Sequence, residues 1–110
     1  MTHVTIYRNR EKECIGFTAI GHADYAESGE DLVCAAISVL AINTCNAVEQ
    51  LTGTAVSLVT NEEEGLIDCR LKDSPSEQTG LLFSAMILGI RSMAENEDYK
   101  EYIQLSFEEV

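Results

Sequence analysis

The sequence predicts an α+β domain in which two helices pack on one face of a mostly antiparallel, five-stranded sheet. A unit of two short alternating segments followed by a longer helical pattern occurs twice, and one more alternating segment follows the second unit. Helices that alternate with hairpins in this way form a second layer on one face of an antiparallel sheet. The expected element order is therefore ββαββαβ, and the pattern leaves the strand order open.

The first unit contains a hairpin and a strongly apolar helix. Residues 3–9 and 13–20 alternate apolar and polar side chains, as half-buried strands do, with a polar turn between them. Residues 32–52 have a helical pattern that is apolar around much of its circumference. Such a helix is expected to be covered on more than one side, and in so small a chain a second subunit is the expected second cover. Gly53 is expected to end the helix.

The second unit repeats the hairpin and is followed by the last strand. Residues 54–60 are predicted to form a strand and residues 66–71 a second strand of alternating character, with an acidic turn between them, which predicts a hairpin. Residues 101–107 alternate in the same way and are expected to close the sheet.

The start of the second helix is predicted from its capping residues. Ser74 is expected to be the N-cap, with Pro75 at the first helical position and Glu77 closing a capping box. The helical pattern ends near residues 95–96.

Composition indicates one acidic globular domain over residues 1–110. The apolar fraction of 45% is ordinary for a folded protein and too high for a disordered one. Seven Lys and Arg residues stand against nineteen Asp and Glu, a formal net charge of −12. This balance argues against nucleic acid and anionic membrane surfaces as direct partners, since both select basic patches. An acidic surface either attracts a basic partner or serves only solubility.

The chain shows no targeting segment and no metal-ligand spacing. Its first residues lack the basic and apolar regions of a signal peptide, and no apolar run is expected to approach the ~20 residues that span a bilayer. The four cysteines, at positions 14, 34, 45 and 69, form no CxxC pair and have no close histidine spacing. We therefore expect a cytoplasmic protein with free thiols and no metal or cofactor, in which Cys14 is a small buried side chain.

Residues 21–38 carry the pattern that suggests chemistry. A polar loop with a glycine at each end, Gly21 and Gly29, joins the second strand to the apolar helix. With Asp31 as the N-cap, Cys34 would lie in the first turn of this helix. There, unsatisfied backbone N–H groups and the helix dipole favour the reactive thiolate, and the same N–H groups are suited to stabilise an oxyanion.

A histidine and a serine complete the candidate site. His22, at the entrance of the loop, is a candidate base for the thiol of Cys34, and Ser38 shares a helix face with Cys34 because it follows by four residues. Each residue also has a structural interpretation: a buried thiol, a strand-capping histidine, a helix cap at Asp31 and a surface hydroxyl. The two glycines can equally serve only to turn the chain. From the residues alone, a thiol dyad and a purely structural role both stay open.

The loop over residues 22–29 is expected to be mobile in the free protein, because it is polar and has Tyr25 as its one large side chain. Since it joins the candidate base to the candidate nucleophile, we expect the substrate to order it and so complete the dyad. A rigid loop with a preformed dyad is the alternative.

Two motifs in this segment closely resemble the signature of the ribosomal-processing cysteine proteases of Firmicutes and related bacteria. They are Gly21-His22-Ala23 and Gly29-Glu30-Asp31-Leu32-Val33-Cys34-Ala35-Ala36-Ile37-Ser38. The resemblance extends to chain length, acidity and element order. It implies a Cys–His dyad formed by Cys34 and His22, with Asp31 and Ser38 as supporting residues.

The same resemblance implies a biological setting. It places Gly21, Ala23 and Gly29 in a substrate loop and implies a cytoplasmic homodimer that needs no cofactor. The implied substrate is the precursor of large-subunit ribosomal protein twenty-seven, whose N-terminal extension is removed after an aromatic residue. Ribosomal proteins are strongly basic, so the acidic surface would suit this partner.

Two other classes of function remain open from the sequence. One is a non-enzymatic ribosome-assembly or interaction module in which the apolar helix is only a docking surface. The other is a thiol-redox protein that uses Cys34 alone. A binding module does not need His22, and a redox protein is expected to have a second cysteine close to Cys34, which this sequence lacks. Each alternative therefore accounts for fewer of the residues in the motif than a peptidase does.

Overall fold

The computed structural model describes residues 1–21 and 28–110, and its elements follow the predicted order ββαββαβ. Most boundaries of the predicted strands and helices agree within two residues, and the start of the first helix differs by four. The elements are the strands β1 (Thr2–Arg8), β2 (Cys14–Gly21), β3 (Val56–Asn61), β4 (Leu66–Leu71) and β5 (Ile103–Glu109), the helices α1 (Ser28–Thr52) and α2 (Glu77–Glu95), and a 3-10 turn at Lys100–Tyr102.

The five strands form one sheet in the order β3-β4-β2-β1-β5. All neighbouring pairs are antiparallel except β1 and β5, which are parallel. The parallel pair arises because α2 crosses from β4 at one side of the sheet to β5 at the opposite edge, and a parallel neighbour requires a crossover of this kind. The predicted α+β class with a mostly antiparallel sheet is confirmed.

The hydrophobic core lies between one face of the sheet and the two helices. Val4 and Ile6 on β1 are fully buried, as the alternation of that strand predicts. Phe17 on β2 meets Phe83 on α2 edge to face, with ring centroids 6.2 Å apart and an interplanar angle of 77°. Edge-to-face aromatic pairs of this kind add to the stability that burial provides, so this contact helps to hold α2 on the sheet.

Helix α1 is buried along one stripe and exposed along another. Its buried apolar residues recur every three or four positions: Val33, Ile37, Ala41, Cys45 and Val48. On the outer side, Leu32 and Val39 are exposed by 55% and 71%. Such a two-sided apolar helix is what the sequence predicts.

By length and composition alone, the segment Gly29–Thr52 of α1 is long and apolar enough to cross a membrane, contrary to the expectation from the sequence that no such run is present. The core helix of a soluble protein has the same character, and here the inner stripe packs against the sheet and α2. Gly53 ends the helix as predicted: its φ is +71° and its N–H donates to the carbonyl oxygen of Glu49 at 3.1 Å.

The predicted cap of α2 is wrong by two residues. The N-cap is Ser76, whose hydroxyl accepts a hydrogen bond from the N–H of Thr79, while the hydroxyl of Thr79 accepts one from the N–H of Ser76. This reciprocal box lets the helix begin at Glu77, so Ser74 and Pro75 lie before it. Threonine takes the place that glutamate or glutamine holds in the usual motif, which is why the pattern pointed to Glu77.

Candidate active site

Cys34 lies in the second turn of α1, and the predicted first-turn position is wrong. The helix begins at Ser28, which makes Cys34 its seventh residue. In an α-helix the N–H at this position bonds to the carbonyl four residues earlier, so it is not one of the unsatisfied groups at the helix start. The effect of the helix dipole also fades beyond the first turn. The helix end therefore does not provide the thiolate or oxyanion stabilisation that a first-turn cysteine would receive.

Asp31 is consequently not the N-cap of α1. It is the fourth residue of the helix and is exposed, next to Glu30, which forms an ion pair with the α-amino group of Met1. Carboxylates in the first turn complement the positive end of the helix. Since Cys34 follows Asp31 by three residues, the two are neighbours on the helix surface, with the carboxylate one turn closer to the helix start.

Cys34 and Ser38 share a helix face, as predicted, and both line a cavity of about 230 Å³ between α1 and the β3–β4 hairpin. Cys34 is half-buried and lines this cavity, so the residue is partly accessible to solvent. The hairpin supplies the opposite wall. The remaining lining residues are Ile42 on α1 and Thr60, Asn61, Glu62, Gly65, Leu66 and Ile67 on the hairpin.

The other three of the chain's four cysteines are buried, and their thiols are poor nucleophiles. Burial raises the pKa of the Cys14 thiol, which also donates a weak hydrogen bond to the carbonyl oxygen of Gly16. Burial likewise raises the pKa of Cys45 and of Cys69, whose side chains face each other in the core. A thiol that stays protonated is a poor nucleophile. The predicted role of Cys14 as a small buried side chain is confirmed, and Cys34 is the accessible thiol.

The two glycines of the predicted loop are needed for close packing. Gly21 is the last residue of β2, and its N–H donates to the carbonyl oxygen of Gly65 at 3.1 Å. Gly29 lies in the first turn of α1, where an added Cβ would come within 2.9 Å of the Tyr102 ring. The prediction that Gly29 bounds the loop is therefore wrong, because the helix begins one residue earlier than Gly29.

Two of the predicted site residues, His22 and Ala23, lie outside the described residues. The distance between His22 and Cys34, and the expected ordering of the loop by substrate, therefore stay predictions. The other histidine of the chain, His3, is exposed on β1. Within residues 1–21 and 28–110, no group of three or more His, Cys, Asp or Glu side chains is arranged to hold a metal ion.

The hairpin wall of the cavity was missed by sequence reasoning. Residues 60–67 are at least 26 positions from Cys34 along the chain, and their local pattern indicates only a strand, an acidic turn and another strand. The one local signal was Gly65, which ends the acidic turn and has a φ of +62°. A glycine at such a position indicates a turn, but not what the turn faces.

The chain is similar along its length to known cysteine proteases. Residues 1–104 match the family described as cysteine protease Prp. The ribosomal processing cysteine protease Prp of Bacillus subtilis (strain 168) is 30% identical over an alignment 110 positions long. The alignment covers 96% of this chain and 96% of the relative.

Two solved structures of the essential ribosomal processing protease Prp from S. aureus have the same fold. The complex with a substrate peptide has a TM-score of 0.88 at 27% identity, and the complex with a covalently linked product peptide has a TM-score of 0.83 at 28% identity. Each match covers 98% of this chain and 100% of the S. aureus chain.

The fold, the thiol beside the cavity and these matches define a cysteine-type peptidase. The chain belongs to the family of Prp cysteine proteases. The resemblance noted from the two sequence motifs is therefore confirmed. Membership in this family identifies the chain as a peptidase, and it argues against the two alternatives, a non-enzymatic module and a thiol-redox protein.

Proposed function

We propose that this peptidase removes the N-terminal extension from the precursor of large-subunit ribosomal protein twenty-seven, with Cys34 as nucleophile and His22 as general base and acid. The observation that carries the proposal is the placement of Cys34. It is the one accessible thiol among the four cysteines, and it lines a cavity between α1 and the β3–β4 hairpin.

The proposed reaction uses the two residues in sequence. His22 takes the proton of the Cys34 thiol, and the thiolate attacks the carbonyl carbon of the scissile peptide bond. His22 returns the proton to the departing amine, and water then hydrolyses the thioester to release the acid and regenerate the thiol. The S. aureus relative with a covalently linked product peptide supports a covalent route of this kind.

Charge supports a basic substrate. The chain carries nineteen acidic side chains and seven basic ones, so the surface attracts a ribosomal protein precursor and repels anionic nucleic acid. The relatives are named as ribosomal processing proteases, and one is in complex with a substrate peptide. We place the enzyme in the cytoplasm, where such precursors are made, with no direct contact to nucleic acid or membrane.

We further propose a homodimer that covers the outer face of α1. Val39 on this face is 71% exposed, and an apolar groove runs beside it toward α2. A second copy is the occupant that this face suits, because the groove is almost wholly apolar and a two-fold symmetric contact would cover the same groove on both chains. The groove is lined by Leu32, Ala35, Ala36, Val39, Leu40, Asn43, Gly89 and Met93.

Sedimentation tests the dimer. The wild-type chain is expected to sediment as a dimer at micromolar concentration and Val39→Asp as a monomer, because a carboxylate would be buried without a partner at the interface. Val59→Asp, at an exposed valine on β3, is the matched control and should leave the dimer intact. A fully active wild-type monomer would contradict this part of the proposal.

Mass spectrometry of a precursor peptide tests the activity. A synthetic peptide that spans the N-terminal extension and the first residues of the mature protein should be split by the wild-type chain. Cys34→Ser and Cys34→Ala should fold and leave the peptide intact, whereas Cys14→Ala should still cleave it. The Cys14 change is expected to lower the free energy of unfolding by about 1–3 kcal/mol through the small cavity it leaves. Cleavage by Cys34→Ser, or an intact peptide with the wild type, would overturn the proposal.

A further inference from the structure

Gly65 and Gly21 form the tightest contact beside the candidate site. Gly21 ends β2 and is buried, and its N–H donates to the carbonyl oxygen of Gly65 at 3.1 Å. A Cβ added to Gly65 would lie 1.7 Å from the carbonyl oxygen of Gly21 and 2.8 Å from its carbonyl carbon. These distances are far shorter than any tolerated contact, so the two backbones meet only because Gly65 has no side chain.

Gly21 is also held from its other side. A Cβ on Gly21 would lie 2.5 Å from the hydroxyl oxygen of Thr2, a buried residue that pairs with Gly21 across the β1–β2 ladder. The end of β2 therefore lies between the Thr2 side chain and the Gly65 backbone, with no space on either side. Its position is set by the β3–β4 turn as much as by its own hairpin.

The same turn faces the candidate nucleophile. Gly65 lines the cavity that also contains Cys34 and Ser38. His22 follows Gly21 directly in the sequence, so the backbone position of Gly21 sets where the chain enters the proposed base. One residue of the hairpin thus contacts both the attachment point of the proposed base and the cavity of the proposed nucleophile.

We propose that Gly65 is a positioning residue, which fixes the end of β2 so that His22 starts from the correct place relative to Cys34. This inference rests on the proposed Cys–His mechanism. A side chain at position 65 would push the carbonyl of Gly21 away from the turn by about 1 Å or more, and a misplacement of this size at a catalytic group can lower a rate by roughly 10²-fold. Gly65 touches neither reacting atom in this scheme and acts through the backbone of Gly21.

The chain offers a matched control for the conformational cost. Gly65 and Gly53 have nearly equal φ values, +62° and +71°, so alanine at either position is strained to a similar extent. A Cβ at Gly53 meets nothing within 4 Å, whereas a Cβ at Gly65 meets the Gly21 carbonyl. Gly65→Ala and Gly53→Ala therefore share the backbone strain and differ in the displacement of Gly21.

The experiment compares kcat, KM and the pH dependence of kcat in these two variants on the precursor peptide. Gly65→Ala should lower kcat by at least about tenfold relative to Gly53→Ala, with a smaller change in KM. The pH dependence of kcat in Gly65→Ala should change toward that of His22→Ala, whereas a methyl group that only narrowed the cavity would raise KM and leave this pH dependence unchanged. Gly65→Asn and Gly53→Asn repeat the comparison with a residue that tolerates positive φ, in case the alanine variants fold poorly.

The outcomes separate this inference from the proposed function. If His22→Ala is inactive but Gly65→Ala and Gly65→Asn match their Gly53 counterparts in kcat, the positioning role is overturned and the dyad stands. If His22→Ala cleaves at the wild-type rate, the dyad itself fails, and the positioning role fails with it.

Discussion

The hydroxyl of Ser38 donates a hydrogen bond of 2.8 Å to the backbone carbonyl oxygen of Cys34, one turn earlier on α1. Serine hydroxyls in helices often bond back in this way, and the bond contributes little to helix stability. The bond fixes the position of the Ser38 hydroxyl, because it holds this group against the helix backbone at the wall of the cavity. Ser38 is thus held beside Cys34 at the cavity, with its hydroxyl proton donated to the helix backbone.

Ser38→Ala is expected to change the free energy of unfolding by less than about 0.5 kcal/mol and to lower the cleavage rate less than His22→Ala does. The matched control is Ser92→Ala, since Ser92 makes the same bond to the carbonyl oxygen of Leu88 at 2.9 Å on α2, outside the cavity. Peptide cleavage and denaturant titration check both variants. A Ser38→Ala enzyme as inactive as Cys34→Ser would show that the hydroxyl takes a direct part in the reaction.

His22→Ala is expected to lower kcat by roughly 10²-fold or more, because general acid–base catalysis contributes on this scale. KM should change much less, since in the proposed mechanism the imidazole acts on the thiol and the leaving amine. His3→Ala is the control: this exposed histidine lies on β1 and should be dispensable. A normal rate in His22→Ala together with a loss in His3→Ala would reassign the base.

The buried thiols predict a pH dependence of stability above pH 9.0. The ordinary thiol pKa is 9.0, and burial raises the pKa of Cys14, Cys45 and Cys69 in the folded chain. Below that pH the thiols are protonated in both the folded and unfolded states, so the free energy of unfolding is unaffected. Above it the unfolded chain releases protons that the folded chain retains, and the free energy of unfolding falls as the pH rises.

Denaturant titrations below and above pH 9.0 check this dependence, and the fall should be smaller in Cys69→Ala, which has one buried thiol fewer. The burial of three thiols also predicts their reactivity. At neutral pH, a thiol reagent should modify only Cys34 in the folded protein, because Cys14, Cys45 and Cys69 are buried. The other three should react once denaturant is added. Equal modification of all four in the native protein would contradict the burial of the other three.

Ser76→Ala tests the start of α2. Removal of the hydroxyl leaves the N–H of Thr79 without its capping partner, and the free energy of unfolding should fall by about 0.5–2 kcal/mol. Ser74→Ala should have almost no effect, because Ser74 is exposed and lies before the helix. A larger loss of stability in Ser74→Ala than in Ser76→Ala would show that Ser74 is the N-cap, as the sequence predicted.

Local patterns of the sequence determined much of this protein. Alternation and helical periodicity act over a few residues, so they predicted the order ββαββαβ and the end of α1 at Gly53. The four-residue spacing of Cys34 and Ser38 predicted their shared face in the same way. The motifs around residues 21–38 were sufficient to indicate the protease family. These features depend on contacts between near neighbours in the chain, which a sequence displays directly.

The tertiary structure decided what depends on distant contacts. The parallel pairing of β1 with β5 joins residues about one hundred positions apart, and no local pattern specifies it. The start of α1 at Ser28 removed Cys34 from the first turn, although Asp31 is by itself a good cap residue. The contact of Gly21 with Gly65 arises only when β4 pairs with β2, because strand pairing brings together backbones that the sequence keeps forty-four residues apart.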